Sequence, residues 1–187
     1  MTRPIPHASV SASRAPRLPA VAALVIALAL AACASAPPVP AIQSLTSATP
    51  AQMVEYIHAT AGDGEGELDV QPLRSSEVED LRQRAERLHA QGYHRDAAEA
   101  LDQALALVPG DPALLQERAD AAILLSDFER ADARAAQAQA LGPGVGPLCR
   151  RHWATREQVR LVRGDAAGAA AAKDAIEACT VAPPPRW

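Results

Sequence analysis

Apolar residues recur along this chain in two different patterns. From Ala20 to Ala32 they run without interruption for 13 residues. From about Ser76 they return every three or four residues, the spacing of a buried helix face. That second stretch also repeats itself. Shifted by 34 residues, Leu81 falls on Leu115, Arg84 on Arg118, Ala85 on Ala119 and Gly92 on Ser126. Ala97 falls on Ala131, Ala104 on Ala138, Leu107 on Leu141 and Pro109 on Pro143. A fixed period of this length predicts stacked two-helix units. Each unit has a first helix, a turn at the Gly or Ser, a second helix, and a Pro that stops it. The alanines mark places where two helix backbones must approach closely.

A third, degenerate unit follows a four-residue insertion. At an offset of 38, Leu115 meets Trp153, Ser126 meets Gly164, Ala131 meets Ala169 and Ala138 meets Ile176. Glu157 stands where a small residue is expected. Ahead of the repeats, Thr49-Pro50 reads as an N-cap followed by a first-turn Pro. Met53, Val54, Ile57 and His58 then predict a short helix over 51–61. Solenoids need capped ends, and this helix is expected to cover one end while the third unit closes the other. The predicted class is all-α: a short α-solenoid of two to three helix-turn-helix units, preceded by a tether and a short helix.

The N-terminal run has a different meaning. Residues 1–19 hold Arg3, Arg14, Arg17 and His7 but no acid. Thirteen helical residues rise about 20 Å, short of the ~30 Å hydrocarbon core. A basic stretch and a short apolar run make a secretory signal. No Arg-Arg pair is present, which favours the general secretory route over twin-arginine export. Leu30-Ala31-Ala32-Cys33 resembles the bacterial lipobox. The resemblance implies that the Cys33 sulfur receives diacylglycerol, that cleavage precedes Cys33, and that the new amine is acylated. Ala34, rather than Asp, follows the cysteine, and by the enteric sorting rule that implies the outer membrane, facing the periplasm. The expected order is a signal peptide (1–32), a Pro/Ala/Ser-rich tether (33–49), a short helix with an acidic Gly-rich loop (50–76), the repeats (77–180) and a Pro-rich tail (181–187).

The stretch GYHRDAAEALDQALALVPGDP resembles the tetratricopeptide repeat. The matching residues are Gly92, Ala97, Leu101, Ala104 and Pro109, then Ala119, Phe128, Ala131, Ala138 and Pro143. In that family the first helices of successive units line a concave groove that binds protein segments. If this holds here, Glu79, Arg82, Glu86 and His89 face the groove from the first unit. Gln116, Asp120 and Ile123 do so from the second, and Arg151 and Gln158 from the third. The implied role is a protein-binding adaptor or assembly factor for a protein or peptide partner in the cell envelope. The alternatives are a structural or stress-related envelope lipoprotein without a dedicated peptide partner, and an enzyme with an unrecognised site.

Charge and chemistry narrow this further. The formal net charge is −4. Residues 33–187 carry 15 basic against 22 acidic groups, which argues against nucleic acid as a partner. Aromatics make up 3%, so no large aromatic core is available. With Cys33 given to lipid, Cys149 and Cys179 remain. They open and close the third hairpin, whose ends are neighbours, and an exported compartment permits oxidation. Either they form a disulfide or they are two buried thiols. His89 and His94 straddle a turn without a third metal ligand, so no metal is expected. Asp63, Glu65, Glu67 and Asp69 alternate in a Gly-rich loop, without the EF-hand spacing. Arg156, Arg160 and Arg163 share a helix face with Arg150 and Arg151 at its start. They meet either an anionic partner or the acidic second unit. Trp153 is either an exposed anchor or packed between helices. No recognised catalytic motif is present, so no enzyme activity and no cofactor are expected.

Overall fold

Seven helices, and no strand, form among the residues that the computed structural model describes, 43–62 and 73–180. They are α1 (Pro50–Ala61), α2 (Ser76–Ala90), α3 (His94–Leu107), α4 (Pro112–Leu124), α5 (Phe128–Leu141), α6 (Gly146–Val162) and α7 (Ala166–Ala178). The signal sequence, Cys33, most of the tether, the acidic residues 63–69 and the tail 181–187 lie outside the described residues. No helix among the described residues is long and apolar enough to cross a membrane.

Local chemistry starts most of these helices. The Thr49 hydroxyl accepts from the Gln52 backbone N–H, and the Gln52 side chain accepts from Thr49 N–H, a complete capping box. Ser75, Asp111, Asp127 and Asp165 cap α2, α4, α5 and α7 more simply, each side chain accepting from backbone N–H groups of the first turn. Each hairpin then turns at the residue that the repeat singles out. Gly92, Ser126 and Gly164 all have positive φ, at 81°, 58° and 72°. Ser126 is the one non-glycine at positive φ among the described residues. A Cβ in that region is unfavourable, so Ser126→Gly is expected to stabilise by about 0.5–1 kcal/mol. A rise in urea midpoint with unchanged slope checks it.

The hairpins α2/α3, α4/α5 and α6/α7 stack in order, with α3 against α4 and α5 against α6. Ala97, Ala104, Ala131 and Ala138 are fully buried where the helices meet, and Leu101, Leu114 and Leu115 fill the remaining space. The four-residue insertion becomes one added turn at the start of α6, which has 17 residues where α4 has 13. That turn carries Cys149. Its Cα lies 5.8 Å from that of Cys179, and the two form a disulfide. The Gly146 N–H beside it donates to the Cys179 carbonyl at 2.7 Å.

One expectation is overturned. The short helix α1 does not cover the end of the stack. It lies against α6 and α4 instead. The reason is visible on α2. Asp80 and Arg87 are exposed where the second unit has the buried Leu114 and Ala121. Charged side chains on the outer face solvate that end directly, as terminal repeats require. No covering helix is needed there, and the apolar face of α1 finds another seat.

Candidate functional site

The first helix of each hairpin, α2, α4 and α6, contributes to one side of the stack. On α4 and α6 that side is occupied by α1. Met53, Ile57 and Ala61 fall at i, i+4 and i+8, so they form a single stripe on α1, and all three are buried. Met53 and Ile57 pack with Ala122, Ile123, Ala154 and Val159. Polar contacts hold the rim. Tyr56 donates its hydroxyl to Glu157 at 2.7 Å, and His58 Nε2 meets Asp120 at 2.9 Å. Arg150 donates from Nε to the Ala61 carbonyl at 2.9 Å, which satisfies a terminal helix carbonyl. Glu157, the residue that broke the small-residue pattern, is accommodated through Tyr56.

Beneath α1 lies a buried polar layer built by α4 and α6. Asp120 accepts from Arg151 and from the Gln116 amide. The same Gln116 amide nitrogen donates to Thr155 at 2.8 Å. Both amide hydrogens are then used, so Gln116 Oε1 must accept, and His152 Nδ1–H donates to it at 2.7 Å. The second ring nitrogen of His152 is buried with no partner. Burial, with the Arg151 charge beside it, lowers the His152 pKa to about 4. Burial alone would raise the Asp120 carboxyl. Arg151, His58 and Gln116 outweigh it and hold the group below its ordinary value.

These contacts sort the nine groove residues expected from the repeats. Glu79, Arg82, Glu86 and His89 stay on the open part of the face, with Glu86 exposed and the others half-buried. Arg82 is tied to Glu117 at 2.7 Å and more loosely to Glu79. Gln116, Ile123 and Gln158 are corrections, buried at 6% exposure or less; Asp120 is buried to the same degree but, with Arg151, still borders the crevice described below. The α1 helix packs on the two helices that carry Gln116, Ile123 and Gln158, so these three do not line an open groove. Arg151 is partly covered and committed to Asp120. What remains open is a crevice of about 260 Å³ between α1 and the first unit. Val54, Ala85, Leu101 and Leu124 give it apolar walls, and Arg82, Glu86, His89 and His58 stand around them.

The repeat pattern did not announce Val54, His58, Thr155 or His152 as parts of this face. The first two belong to a helix outside the repeat. The other two sit at positions where the second unit has Glu117 and Leu114, so alignment between units gave no polar signal for His152 and, for Thr155, one that reads equally well as a solvated face. The spacing of Met53, Ile57 and Ala61 does say that α1 must bury a stripe.

The remaining candidates resolve into local contacts. His89 and His94 meet through their Nδ1 atoms at 3.2 Å, and burial together with His94 lowers the His89 pKa. Among the described residues no three His, Cys, Asp or Glu side chains cluster to hold a metal. Arg156 and Arg163 both reach Asp132 on α5 at 3.3 Å, so this row faces the second unit. Trp153 is half-buried with the Arg156 guanidinium 4.8 Å above its ring. No known protein family, curated protein or solved structure matches the chain.

Proposed function

We propose that this chain is a lipid-anchored envelope protein that presents a helical-repeat scaffold to the periplasm and binds a segment of a partner protein. The observation that carries the reading is the crevice between α1 and α2. It combines apolar walls with a ring of charged and imidazole groups, the composition of a recognition pocket. Glu86 makes no hydrogen bond or ion pair among the described residues, which leaves a carboxylate for a partner's donor. The Cys149–Cys179 disulfide fits an oxidising compartment. The lipobox-like Leu30–Cys33 supplies the anchor in this reading.

The test is site-specific photocrosslinking in cells. A photoreactive residue placed at Glu86 or His89 is expected to capture one reproducible protein. The same residue at Gln137, exposed on α5, is expected to capture none. In a Cys33→Ala chain the product should leave the membrane fraction. Absence of a crevice-specific product would sink the adaptor role. A Cys33→Ala product that stays with membranes would sink the anchor.

A further inference from the structure

We propose that α1 is a displaceable resident of its seat, and that the seat accepts an amphipathic helix of a partner protein in its place. This inference rests on the adaptor reading and names the chemistry of the partner.

Four observations carry it. First, the polar layer under α1 does not depend on α1. The contacts Gln116–Asp120, Gln116–Thr155, Gln116–His152 and Arg151–Asp120 all run within or between α4 and α6. Departure of α1 removes one of several partners from Asp120 and none from Gln116. The apolar part of the seat, Ala122, Ile123, Ala154 and Val159, is what loses cover when α1 leaves and what a replacing apolar helix face must cover. Second, α1 packs chiefly on α4 and α6 rather than on α2, its neighbour along the chain. Third, α1 has 12 residues, and helices of about this length are marginal alone in water. Leaving the seat therefore melts the helix, and order is gained again only on docking. Fourth, the seat contacts α1 in a way that any helix of the right pattern reproduces. It receives two large apolar side chains four residues apart, Met53 and Ile57. It offers Glu157 to a hydroxyl three residues after the first anchor and Asp120 to an imidazole or cation five residues after it. Arg150 receives a terminal carbonyl.

The occupant thus has apolar residues at i and i+4, a hydrogen-bond donor at i+3, and a basic or imidazole group at i+5. A helix that meets the same seat competes with α1 directly. Because α1 is tethered, it competes at an effective concentration in the millimolar range. An intact chain therefore takes up a free helix weakly, and weakening α1 raises the uptake.

The test uses the whole chain from residue 34 with its disulfide intact, and a fluorescein-labelled synthetic peptide of residues 48–62 as the probe. Fluorescence anisotropy is expected to show binding to the Ile57→Asp chain at least tenfold tighter than to the unsubstituted chain. A peptide carrying the same Ile57→Asp change should bind neither. Tyr56→Phe, a milder change on α1 that leaves the apolar anchors and the seat in place and removes only the hydrogen bond to Glu157, keeps the test usable should Ile57→Asp fail to fold. With Tyr56→Phe in the chain, the unsubstituted peptide should still bind severalfold tighter than to the unsubstituted chain. Hydrogen exchange on the unsubstituted chain should show amides 53–61 exchanging at least tenfold faster than amides 114–123. Equal peptide affinity for folded substituted and unsubstituted chains, or equal protection of α1 and α4, overturns the proposal. That failure is separate from failure of the adaptor reading, which is read from crosslinks at Glu86 and His89 whether or not α1 exchanges.

Discussion

Opening the Cys149–Cys179 bond is expected to destabilise the chain by about 3–4 kcal/mol, the loop-entropy value for a closed loop of 30 residues. Helix α7 has little else to hold it. The buried residues of α7 are Ala169 and Ala172, with Ile176 partly buried beside them. Alanines bury few methylenes at roughly 0.8 kcal/mol each. The disulfide joins the added turn of α6 to the end of α7, so it closes the whole hairpin. At a few degrees per kcal/mol for a domain of this size, the melting temperature should fall by roughly 10 °C. The measurement is a thermal melt with and without dithiothreitol, repeated on a Cys149→Ala/Cys179→Ala chain. The double substitution should reproduce the reduced melt and be insensitive to reductant. A fall of less than about 2 °C would show that the bond stabilises nothing. The seat of α1 lies partly on α6, so hydrogen exchange after reduction should rise in α6, α7 and α1 before α2 and α3.

The second large effect is a loss of stability in mild acid, centred on His152. The sign follows from where the proton binds. In the unfolded chain the imidazole takes a proton near its ordinary 6.5, but in the fold it does so only at about 4. Between these values the unfolded state binds more protons, so stability falls as pH falls. The contribution is fully present above pH 6.5 and is lost as the pH drops to about 4, a total of roughly 3 kcal/mol. The cause is geometric. His152 is fully buried, donates one ring hydrogen to Gln116, and has no acceptor for a second. Its Nε2 lies beside Gly142, at 3.2 Å from where a Cβ would stand. His89 is also lowered and titrates in the same direction. Asp111 and Asp120, both lowered, lose their contributions only below the ordinary carboxylate value near 3.8. The windows therefore separate Asp111 and Asp120 from the imidazoles, whereas Glu117, raised above its ordinary value by burial, takes its proton in the fold first and acts in the opposite direction. His152→Asn separates the two imidazoles, since the amide keeps a donor for Gln116 and does not titrate. Urea unfolding from pH 7 to pH 4.5 should show the unsubstituted chain losing well over half of that 3 kcal/mol. The Asn chain should lose much less, from a lower starting stability. Parallel losses in both chains would remove His152 as the cause.

Both effects sit in the third unit, which is where the sequence departs furthest from its own repeat. The departures turn out to be connected. The insertion adds the turn that carries Cys149. Glu157, in a place where a small side chain was expected, meets Tyr56 of α1. His152 and Thr155 replace Leu114 and Glu117 of the preceding unit and build the polar layer with Gln116. Read one at a time, these residues look like decay of a pattern. Together they make α6 one wall of a seat for another helix.

Helix positions were legible because their causes are local. Caps at Thr49, Ser75, Asp111, Asp127 and Asp165 act on backbone groups two or three residues away. Turns at Gly92, Ser126 and Gly164 need one residue at positive φ. The 34- and 38-residue spacings carry these signals from unit to unit, and the sequence by itself thus determined an all-α stack of two to three helix-turn-helix units, which the fold completes as three hairpins. It also determined that Pro50–Ala61 forms a helix with one apolar stripe. Where that stripe goes was decided by tertiary structure alone. An apolar face states that it must be covered, but hydrophobic attraction is non-directional and names no partner. The choice between the end of the stack and its inner face rested on Asp80 and Arg87, which solvate the end, and on Ile123, Ala154 and Val159, which offered apolar cover elsewhere. Those residues are far apart in the chain, and only the packed fold brings them to bear on α1.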